Sequence, residues 1–333
     1  MKQLSLVELI GNTPLVRLKG FEKDFELDFV LFGKLEMFNP MGSVKDRLAL
    51  ALVKDAIDRG LLSQDNPEHN RDRIWVEATS GNTGIGLAFL SILYGFKMIV
   101  TMPESVSEER KKLLAYLGAE VVLTPKEEGI QGAVKAAEFI AAKTSAYIPG
   151  QFSNPANPEY HYRTTGPEIW KQTDGKVDAF VAGYGTGGTV TGVARYLKER
   201  NPSIMIITLE PEESPVITKG RSGIHLIQGI GPGFIPETLD LTVIDRVVTV
   251  SSDEAMKTAR ILMGSDGVFA GISSGAALAA AVKMKEELKG KNVVVILPDT
   301  GERYLSTDLC NSSEIRGRII SFEEWRNKYG FST

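Results

Sequence analysis

From Ile74 onward, short apolar runs rich in β-branched residues alternate with longer stretches in which apolar residues recur at helical spacing. This alternation is typical of proteins in which helices cover both faces of a mostly parallel sheet, so we predict an α/β fold. The predicted strands are residues 74–78, 97–102, 120–124, 177–182, 203–210, 243–250 and 292–297. The predicted helices are residues 48–58, 84–94, 108–117, 131–143, 190–199, 253–263 and 274–288.

The length of 333 residues suits two domains, or one large α/β unit with an inserted lobe. Residues 64–73 are polar, contain a proline and carry several charges, so we expect a surface loop there. The net charge of −4 provides no general attraction to nucleic acid or to anionic lipid. We therefore expect neither as a partner.

Cysteine and histidine usage limits the redox and metal chemistry. The single cysteine, Cys310, cannot form an internal disulfide, and His69, His161 and His225 lack metal-ligand spacing. The sequence has no stretch typical of a signal peptide and no long apolar stretch free of charge. We expect a cytoplasmic protein of a reducing compartment, with no protein-bound metal.

The segment GYGTGG, residues 183–188, follows the predicted strand 177–182 and precedes a predicted helix. Glycines permit close approach of a ligand to the backbone, and amides at a helix start bind anions. The spacing GxGxxG also occurs in dinucleotide-binding proteins, and Glu210 lies about 20 residues further on, where such proteins carry an acidic residue. These residues alone leave three interpretations: a phosphate site of another cofactor, an NAD site, or a tight turn without ligand.

Three further segments precede or begin predicted helices. Residues 79–84 (TSGNTG) offer hydroxyls, an amide and helix-start N–H groups that suit a carboxylate, although a simple N-cap turn is the commoner outcome. Residues 39–47 place Lys45 after a loop broken by proline and glycine. A lysine that forms a Schiff base needs a lowered pKa, which burial beside a cofactor supplies, but most lysines are solvated. Residues 271–277 begin another predicted helix, and by themselves they predict only a helix start capped by serine.

Together and in this order, the four segments resemble the cysteine synthase (O-acetylserine sulfhydrylase) family, of the tryptophan synthase β-like α/β fold of type II pyridoxal phosphate enzymes. The resemblance covers nearly the whole chain and includes IGNTPLV at 10–16, QFSNPANP at 151–158, TGPEIW at 165–170 and GERYLST at 301–307. It implies two open sheets with flanking helices. Residues 46–151 would form a smaller mobile lobe, and residues 1–45 plus 152–333 a larger cofactor-binding domain.

The resemblance implies a role for each residue that matches a family motif. Lys45 would hold pyridoxal 5'-phosphate as a Schiff base and act as the catalytic acid and base. Asn82 would contact the cofactor's phenolic oxygen and Ser273 its pyridine nitrogen. The remaining residues bind anionic groups: Gly185, Thr186, Gly187, Gly188 and Thr189 the cofactor phosphate, and Thr79, Ser80, Thr83 and Gln151 the substrate carboxylate.

The reaction implied by the resemblance is formation of L-cysteine from O-acetyl-L-serine and sulfide by a transferase. The expected assembly is a homodimer, with serine acetyltransferase as a partner to test. The NAD interpretation is displaced, because one glycine loop cannot explain the other three segments.

Departures from the family pattern keep alternatives open. Met41 and residues 45–47 are as similar to the related cystathionine β-synthases as to the cysteine synthases. Formation of cystathionine and release of sulfide from cysteine are therefore alternatives. A short stretch before His225 places Arg221 near the expected rim of the site, where its guanidinium could bind O-phosphoserine. An alternative of another class is a non-catalytic binding paralogue, which the presence of Lys45 disfavours.

Overall fold

The computed structural model describes residues 4–79, 81–311 and 320–328. In these residues nine strands, numbered β1 to β9 in chain order, form two separate sheets. The strands are Leu15–Arg17, Val30–Leu35, Ile74–Ala78, Lys97–Pro103, Glu120–Thr124, Ala179–Gly183, Met205–Pro211, Arg246–Val250 and Asn292–Leu297.

Thirteen α-helices, numbered α1 to α13, accompany the strands in the described part of the chain. They are Lys19–Asp24, Lys45–Asp58, Asn82–Tyr94, Glu108–Tyr116, Gly129–Thr144, Ala156–Arg163, Thr165–Gln172, Gly188–Arg200, Val216–Lys219, Ser252–Asp266, Ile272–Lys283, Lys285–Leu288 and Phe322–Lys328. No helix in the described ranges is both long and apolar enough to cross a membrane.

The larger sheet has the strand order β1-β2-β9-β6-β7-β8, with β1 antiparallel to β2 and the other neighbours parallel. Its central strand β9 (NVVVIL) is buried on both faces, which explains a run of apolar residues without alternation. Val295 packs into the apolar cluster that contains α10 and α11, and Val294 into the cluster that contains α7 and α8. Helices therefore cover both faces of the sheet.

Helix α11 packs unusually close to α10, because its first ten residues are small or apolar and all are buried. A Cβ atom added at Gly275 would lie 2.0 Å from the carbonyl oxygen of Ala255 in α10. Only glycine allows this approach. The contact fixes the start of α11, and with it Ser273, at the edge of the larger sheet.

The smaller sheet consists of β3, β4 and β5, all parallel. Helices α2, α3 and α4 contribute to the apolar cluster on one side, and α5 packs on the other side. All three strands lie within the segment 46–151, whereas the larger sheet combines strands from before and after that segment. The independent movement of this lobe stays a prediction.

The predicted α/β class and parallel strands are confirmed, with strands 74–78, 120–124 and 292–297 matching to the residue. Several other predicted bounds differ by one to three residues, and three of the differences change the description of an element. The helix predicted from residue 48 begins at Lys45, so the lysine lies in the first helical turn. The strand predicted from residue 243 begins at Arg246, because Leu241–Val243 forms a 3-10 turn. The helix predicted over 274–288 divides into α11 and α12.

The loop 64–73 is mostly exposed, as expected, but Asn70 within it is 2% exposed. Its amide donates to the carbonyl oxygens of Ser63 at 2.8 Å and Tyr94 at 2.7 Å. This asparagine therefore anchors the loop to the end of α3. The prediction that the whole segment lies on the surface was wrong at this position.

Candidate active site

A cavity of about 490 Å³ lies where several parallel strands of both sheets end. Thr79 follows β3, Pro103 ends β4, Gly185 lies shortly after β6 and Pro298 follows β9, and all four line the cavity. Ligands of open parallel sheets bind at such carboxyl ends, in pockets of about 300–1,000 Å³. The cavity is therefore the candidate active site.

Lys45 lines this cavity from the first position of α2. The backbone before it is tied to the end of β9, because the Val44 N–H donates to the carbonyl oxygen of Pro298 at 2.8 Å. Burial lowers the pKa of Lys45 to about 8, while the nearby carboxylates of Asp299 and Glu36 oppose this shift. Near pH 7 about one molecule in ten therefore carries Lys45 as a neutral, nucleophilic amine, a far larger share than for a solvated lysine.

The glycine loop leads into the N-terminus of α8 and contributes Gly185, Thr186 and Thr189 to the cavity wall. Helix-start amides have no carbonyl partner within the helix and attract anions. Asn157 donates to the Thr186 hydroxyl oxygen at 2.9 Å, which leaves the hydroxyl hydrogen available to an anion. Gly187 lies in the same loop at φ +84°, where a side chain would be strained.

His161 lies behind this loop, 1% exposed, with its Nε2 atom 3.2 Å from the Thr189 hydroxyl oxygen. Burial lowers its pKa to about 3, so the imidazole is neutral at physiological pH. His161 therefore contributes no positive charge to an anion bound at this loop. The charge of a bound anion would be balanced by backbone dipoles and hydroxyl groups.

The turn after β3 is joined to Gln151 by side-chain hydrogen bonds. The Thr83 hydroxyl donates to Gln151 Oε1 at 2.7 Å, and Gln151 Nε2 donates to the carbonyl oxygen of Ala78. Beneath them, Glu77 accepts the N–H of Gly150 at 2.9 Å, and burial raises its pKa to about 8. Thr79, Thr83 and Gln151 therefore line one wall of the cavity as a connected unit.

Asn82, at the start of α3, lines the cavity and is held by two partners far away in the sequence. Its Nδ2 atom donates to Asp299 Oδ2 at 2.7 Å, and its Oδ1 atom accepts from Arg303. Asp299 Oδ2 also accepts from Tyr304 at 2.8 Å and from Arg110 at 3.3 Å. The sequence analysis included 301–307 in the resemblance but assigned none of these partners a role.

The structure brings most of the predicted site residues to this one cavity, namely Lys45, Thr79, Asn82, Thr83, Gln151, Gly185, Thr186, Thr189 and Ser273. Gly187 and Gly188 belong to the same loop but are not part of the cavity lining. Ser80 lies outside the described residues. Arg221 is exposed, and only its neighbours Ser222 and Gly223 line the cavity. The binding roles of all these residues stay predictions.

Glu210, the acidic residue that an NAD site would use, is fully buried and committed to other partners. Its carboxylate accepts the N–H groups of Ile217 at 2.7 Å and Thr218 at 3.0 Å at the short helix α9. It therefore caps this helix. The structure gives no support to a ribose-binding role for Glu210.

The fold and the cavity define a class of protein: an enzyme of the α/β type with a nucleophilic lysine beside an anion-binding helix start. Residues 6–299 match the family model described as pyridoxal-phosphate dependent enzyme, and the chain belongs to this family. The NAD interpretation is thereby replaced by a pyridoxal phosphate site.

Several characterised proteins are similar to the chain over most of its length. A cysteine synthase of Staphylococcus aureus is 48% identical over 307 residues, which cover 92% of this chain and 96% of the relative. A lysine-to-alanine variant of O-ureido-L-serine synthase, with O-ureido-L-serine bound, superposes with a TM-score of 0.90 at 38% identity and full coverage of both chains. A hydrogen sulfide-producing enzyme of Fusobacterium nucleatum superposes with a TM-score of 0.86 at 38% identity, covering 91% of this chain and all of the other.

The residues of the cavity fit pyridoxal phosphate. Lys45 would offer an amine to the aldehyde, the start of α8 with Thr186 would offer donors to the phosphate, and Ser273 would offer a neutral hydroxyl to the ring nitrogen. The glycine loop approaches the loop around Gly229 so closely that a Cβ atom at Gly185 would lie 2.3 Å from the Gly229 carbonyl oxygen. Backbone alone therefore forms this part of the wall.

Proposed function

We propose that the protein forms L-cysteine from O-acetyl-L-serine and sulfide by β-replacement. The observation that carries this proposal is the placement of Lys45 in one cavity with the helix-start loop of α8 and the hydroxyl-rich turn after β3. The identity of 48% with a cysteine synthase supports this choice of substrates within the family.

Pyridoxal phosphate, when bound, withdraws electrons from the α-carbon of an amino acid and so permits loss of a β-substituent. Lys45 would hold the cofactor and, once released by the substrate amine, would accept the α-proton as acetate leaves. The lowered pKa of Lys45, about 8, favours the neutral amine that this proton transfer requires. Sulfide would then form the new bond at the β-carbon, and Lys45 would return the proton.

The turn after β3 would orient the substrate by its carboxylate. Gln151 Oε1 already accepts from Thr83, and one Nε2 hydrogen is used by Ala78. The second hydrogen of Nε2 remains available for a carboxylate oxygen, next to Thr79 at the end of the strand. In this proposal Ser80 completes the same site.

Ser273 lies at the first turn of α11, 3% exposed, in the cavity wall. A hydroxyl in this position would donate a hydrogen bond to the neutral pyridine nitrogen but would not keep that nitrogen protonated, as a carboxylate would. Less negative charge would then be stored in the ring. This favours direct elimination of acetate over transamination or racemisation.

Two alternatives within the same chemistry have structural support, since neighbours with TM-scores of 0.90 and 0.86 are named for O-ureido-L-serine synthesis and hydrogen sulfide production. Cystathionine formation is a third. All four differ in the leaving group or in the nucleophile, and cavity-lining residues such as Ser222 and Ile224 would contact these groups.

A panel of donors and acceptors tests the proposal. O-acetylserine, O-phosphoserine and serine are each supplied at fixed sulfide, whereas cysteine is supplied with a second thiol and read by the sulfide released. Homocysteine and hydroxyurea then replace sulfide with the best donor. We expect the highest kcat/KM for O-acetylserine with sulfide. A preference for cysteine as donor, or for homocysteine or hydroxyurea as acceptor, would assign the alternative function instead. Activity on O-phosphoserine that falls about 10-fold in Arg221→Ala, with O-acetylserine turnover spared, would instead assign that donor.

A separate experiment tests whether the protein is a non-catalytic paralogue. Borohydride reduction of the holoprotein should fix pyridoxal phosphate covalently to a peptide that contains Lys45, as read by mass spectrometry. Absence of this adduct in a protein that binds the cofactor would contradict catalysis through Lys45.

We also propose that the protein is a cytoplasmic homodimer and that serine acetyltransferase is a partner. Support comes from the resemblance to the cysteine synthases and from the ordinary surface charge. Sedimentation at micromolar concentration should give about twice the 36.3 kDa chain mass. A monomer at that concentration would contradict the dimer.

A further inference from the structure

The amide of Asn82 is held in one orientation by two oppositely charged side chains. Asp299 accepts from Nδ2 at 2.7 Å, and Arg303 donates to Oδ1. The reversed amide would place an oxygen against the carboxylate and an NH2 group against the guanidinium, and both contacts would be repulsive. Asn82 therefore keeps its second N–H and one lone pair of Oδ1 for the cavity, and of these two only the N–H can bond an ionised oxygen.

We propose that Asp299 is a positioning residue which, together with Arg303, makes Asn82 present a hydrogen-bond donor rather than an acceptor to the cofactor's phenolic oxygen. This inference rests on the proposed function and deepens it, because a donor at this oxygen stabilises its ionised form. The ionised oxygen in turn determines the electronic state of the cofactor next to Lys45.

The surroundings of Asp299 support a role beyond packing. The side chain is 1% exposed, and its Oδ2 atom accepts from Asn82, Tyr304 and Arg110. Its Oδ1 atom is buried without a hydrogen-bond partner in the described part of the chain. A carboxylate kept with one oxygen unpaired costs stability, so packing alone gives no reason to retain it.

Asp299 also lies next to the lysine segment. It forms an isolated antiparallel bridge with Ser43, two residues before Lys45, and its carbonyl oxygen accepts the Gly271 N–H at 3.0 Å just before α11. Asp299, which follows β9, thus contacts the segments that carry Lys45, Asn82 and Ser273. The backbone of Asp299 holds the segments of Lys45 and Ser273 in place, and its carboxylate holds Asn82 beside them.

The test compares Asp299→Ser, whose shorter side chain withdraws the acceptor oxygen from Asn82, with two controls. Asp299→Asn keeps an acceptor oxygen in place but no charge, and Tyr304→Phe removes another donor to the same carboxylate. Each holoprotein is measured by the ratio of its visible to its near-ultraviolet cofactor absorbance, which reports ionised against protonated phenolic oxygen. Thermal unfolding is measured in parallel. We expect the ratio to fall at least about threefold in Asp299→Ser and to stay near the wild-type value in the other two.

A double-mutant cycle with Asn82→Ala shows whether Asp299 acts through the amide. We expect Asp299→Ser to change the ratio no further once Asn82 is alanine. Equal additional loss in that background, or an unchanged ratio in Asp299→Ser, would overturn the inference. If Asp299→Ser does not fold, Asp299→Asn is the deciding variant. A wild-type absorbance ratio at a lowered melting temperature supports the positioning role of Asp299, whereas an absorbance ratio that falls together with the melting temperature contradicts it. If the wild type shows no visible band at all, the proposed function fails instead.

Discussion

At the scale of single residues, the chemistry of this protein depends on how one lysine is buried. Lys45 lies at the start of a helix, and burial lowers its pKa to about 8 despite two carboxylates that raise it. A lysine in water would be almost entirely protonated near neutral pH. The fold therefore supplies the reactive form of a common side chain.

Lys45→Ala should reduce turnover of O-acetylserine to background, because it removes the amine that would hold the cofactor and carry the proton. The fold should remain, since alanine is compatible with the first turn of α2. Steady-state kinetics and circular dichroism of the same preparation check both parts. Wild-type activity in this variant would end the proposed mechanism.

The lowered pKa has a kinetic consequence that can be measured without substrate. Only the neutral amine attacks an aldehyde, so capture of pyridoxal phosphate by the apoprotein should accelerate with pH and level off above about 8. A solvated lysine would keep accelerating to about 10.4. Asp299 raises the pKa of Lys45, so Asp299→Asn should shift the midpoint to lower pH. A midpoint near that of free lysine would contradict the burial described here.

At the scale of elements, the loop between β6 and α8 depends on glycine in two different ways. Gly187 has φ +84°, and a Cβ atom there would lie 2.5 Å from Cβ of Leu239. Gly267, which ends α10, has a similar φ of +71° but no atom within 4 Å of the added Cβ. The pair separates backbone strain from crowding at the loop.

Gly187→Ala should weaken pyridoxal phosphate binding by at least about 10-fold, because the loop must shift away from Leu239 and its amides lose their alignment. Gly267→Ala carries a comparable strain of about 1 kcal/mol and should lower the melting temperature while leaving cofactor affinity unchanged. Equilibrium dialysis and thermal unfolding measure the two effects. Equal cofactor loss in both variants would show that strain alone is responsible.

At the scale of the whole molecule, a buried ion cluster joins parts of the chain that are distant in sequence. Arg47 of α2 bonds Glu36 after β2 at 2.8 Å and Glu168 of α7 at 2.7 Å, and Lys34 of β2 bonds the same Glu168 at 2.7 Å. The Arg47 and Glu36 side chains are fully buried. The cluster holds the helix that carries Lys45 against the larger sheet.

Arg47→Met should destabilise the protein by about 3–5 kcal/mol, because two carboxylates lose the cation that lowers their pKa values while one of them has no exposure to water. Arg163→Met is the matched control, since its ion pair with Glu159 is exposed, and it should cost about 1 kcal/mol or less. Urea unfolding of both variants gives the comparison. Similar losses in the two would contradict the importance assigned to the buried cluster.

Much of this organisation could be predicted from the sequence because it depends on neighbours along the chain. Apolar runs located β3 to β9, helical periodicity located most of the helices between them, and glycine-containing turns marked segments that line the cavity. Lys45, Asn82, Gln151 and Ser273 could be named because each lies in a short motif. The strands β1 and β2 were missed, since β1 has only three residues and the apolar run of β2 is interrupted by Gly33 and Lys34.

The tertiary structure alone decided which side chains meet. Asn82 and Asp299 are 217 positions apart, Arg110 and Asp299 are 189 apart, and Arg47 and Glu168 are 121 apart. The two pairs of Asp299 arise because β9 is inserted between β2 and β6, which brings the end of the chain beside its beginning. Local patterns carry no record of strand order, because the same apolar run can occupy any interior position of a parallel sheet. The sequence therefore determined the elements and the chemical groups of the site, and strand order determined their partners, their burial and the pKa of Lys45.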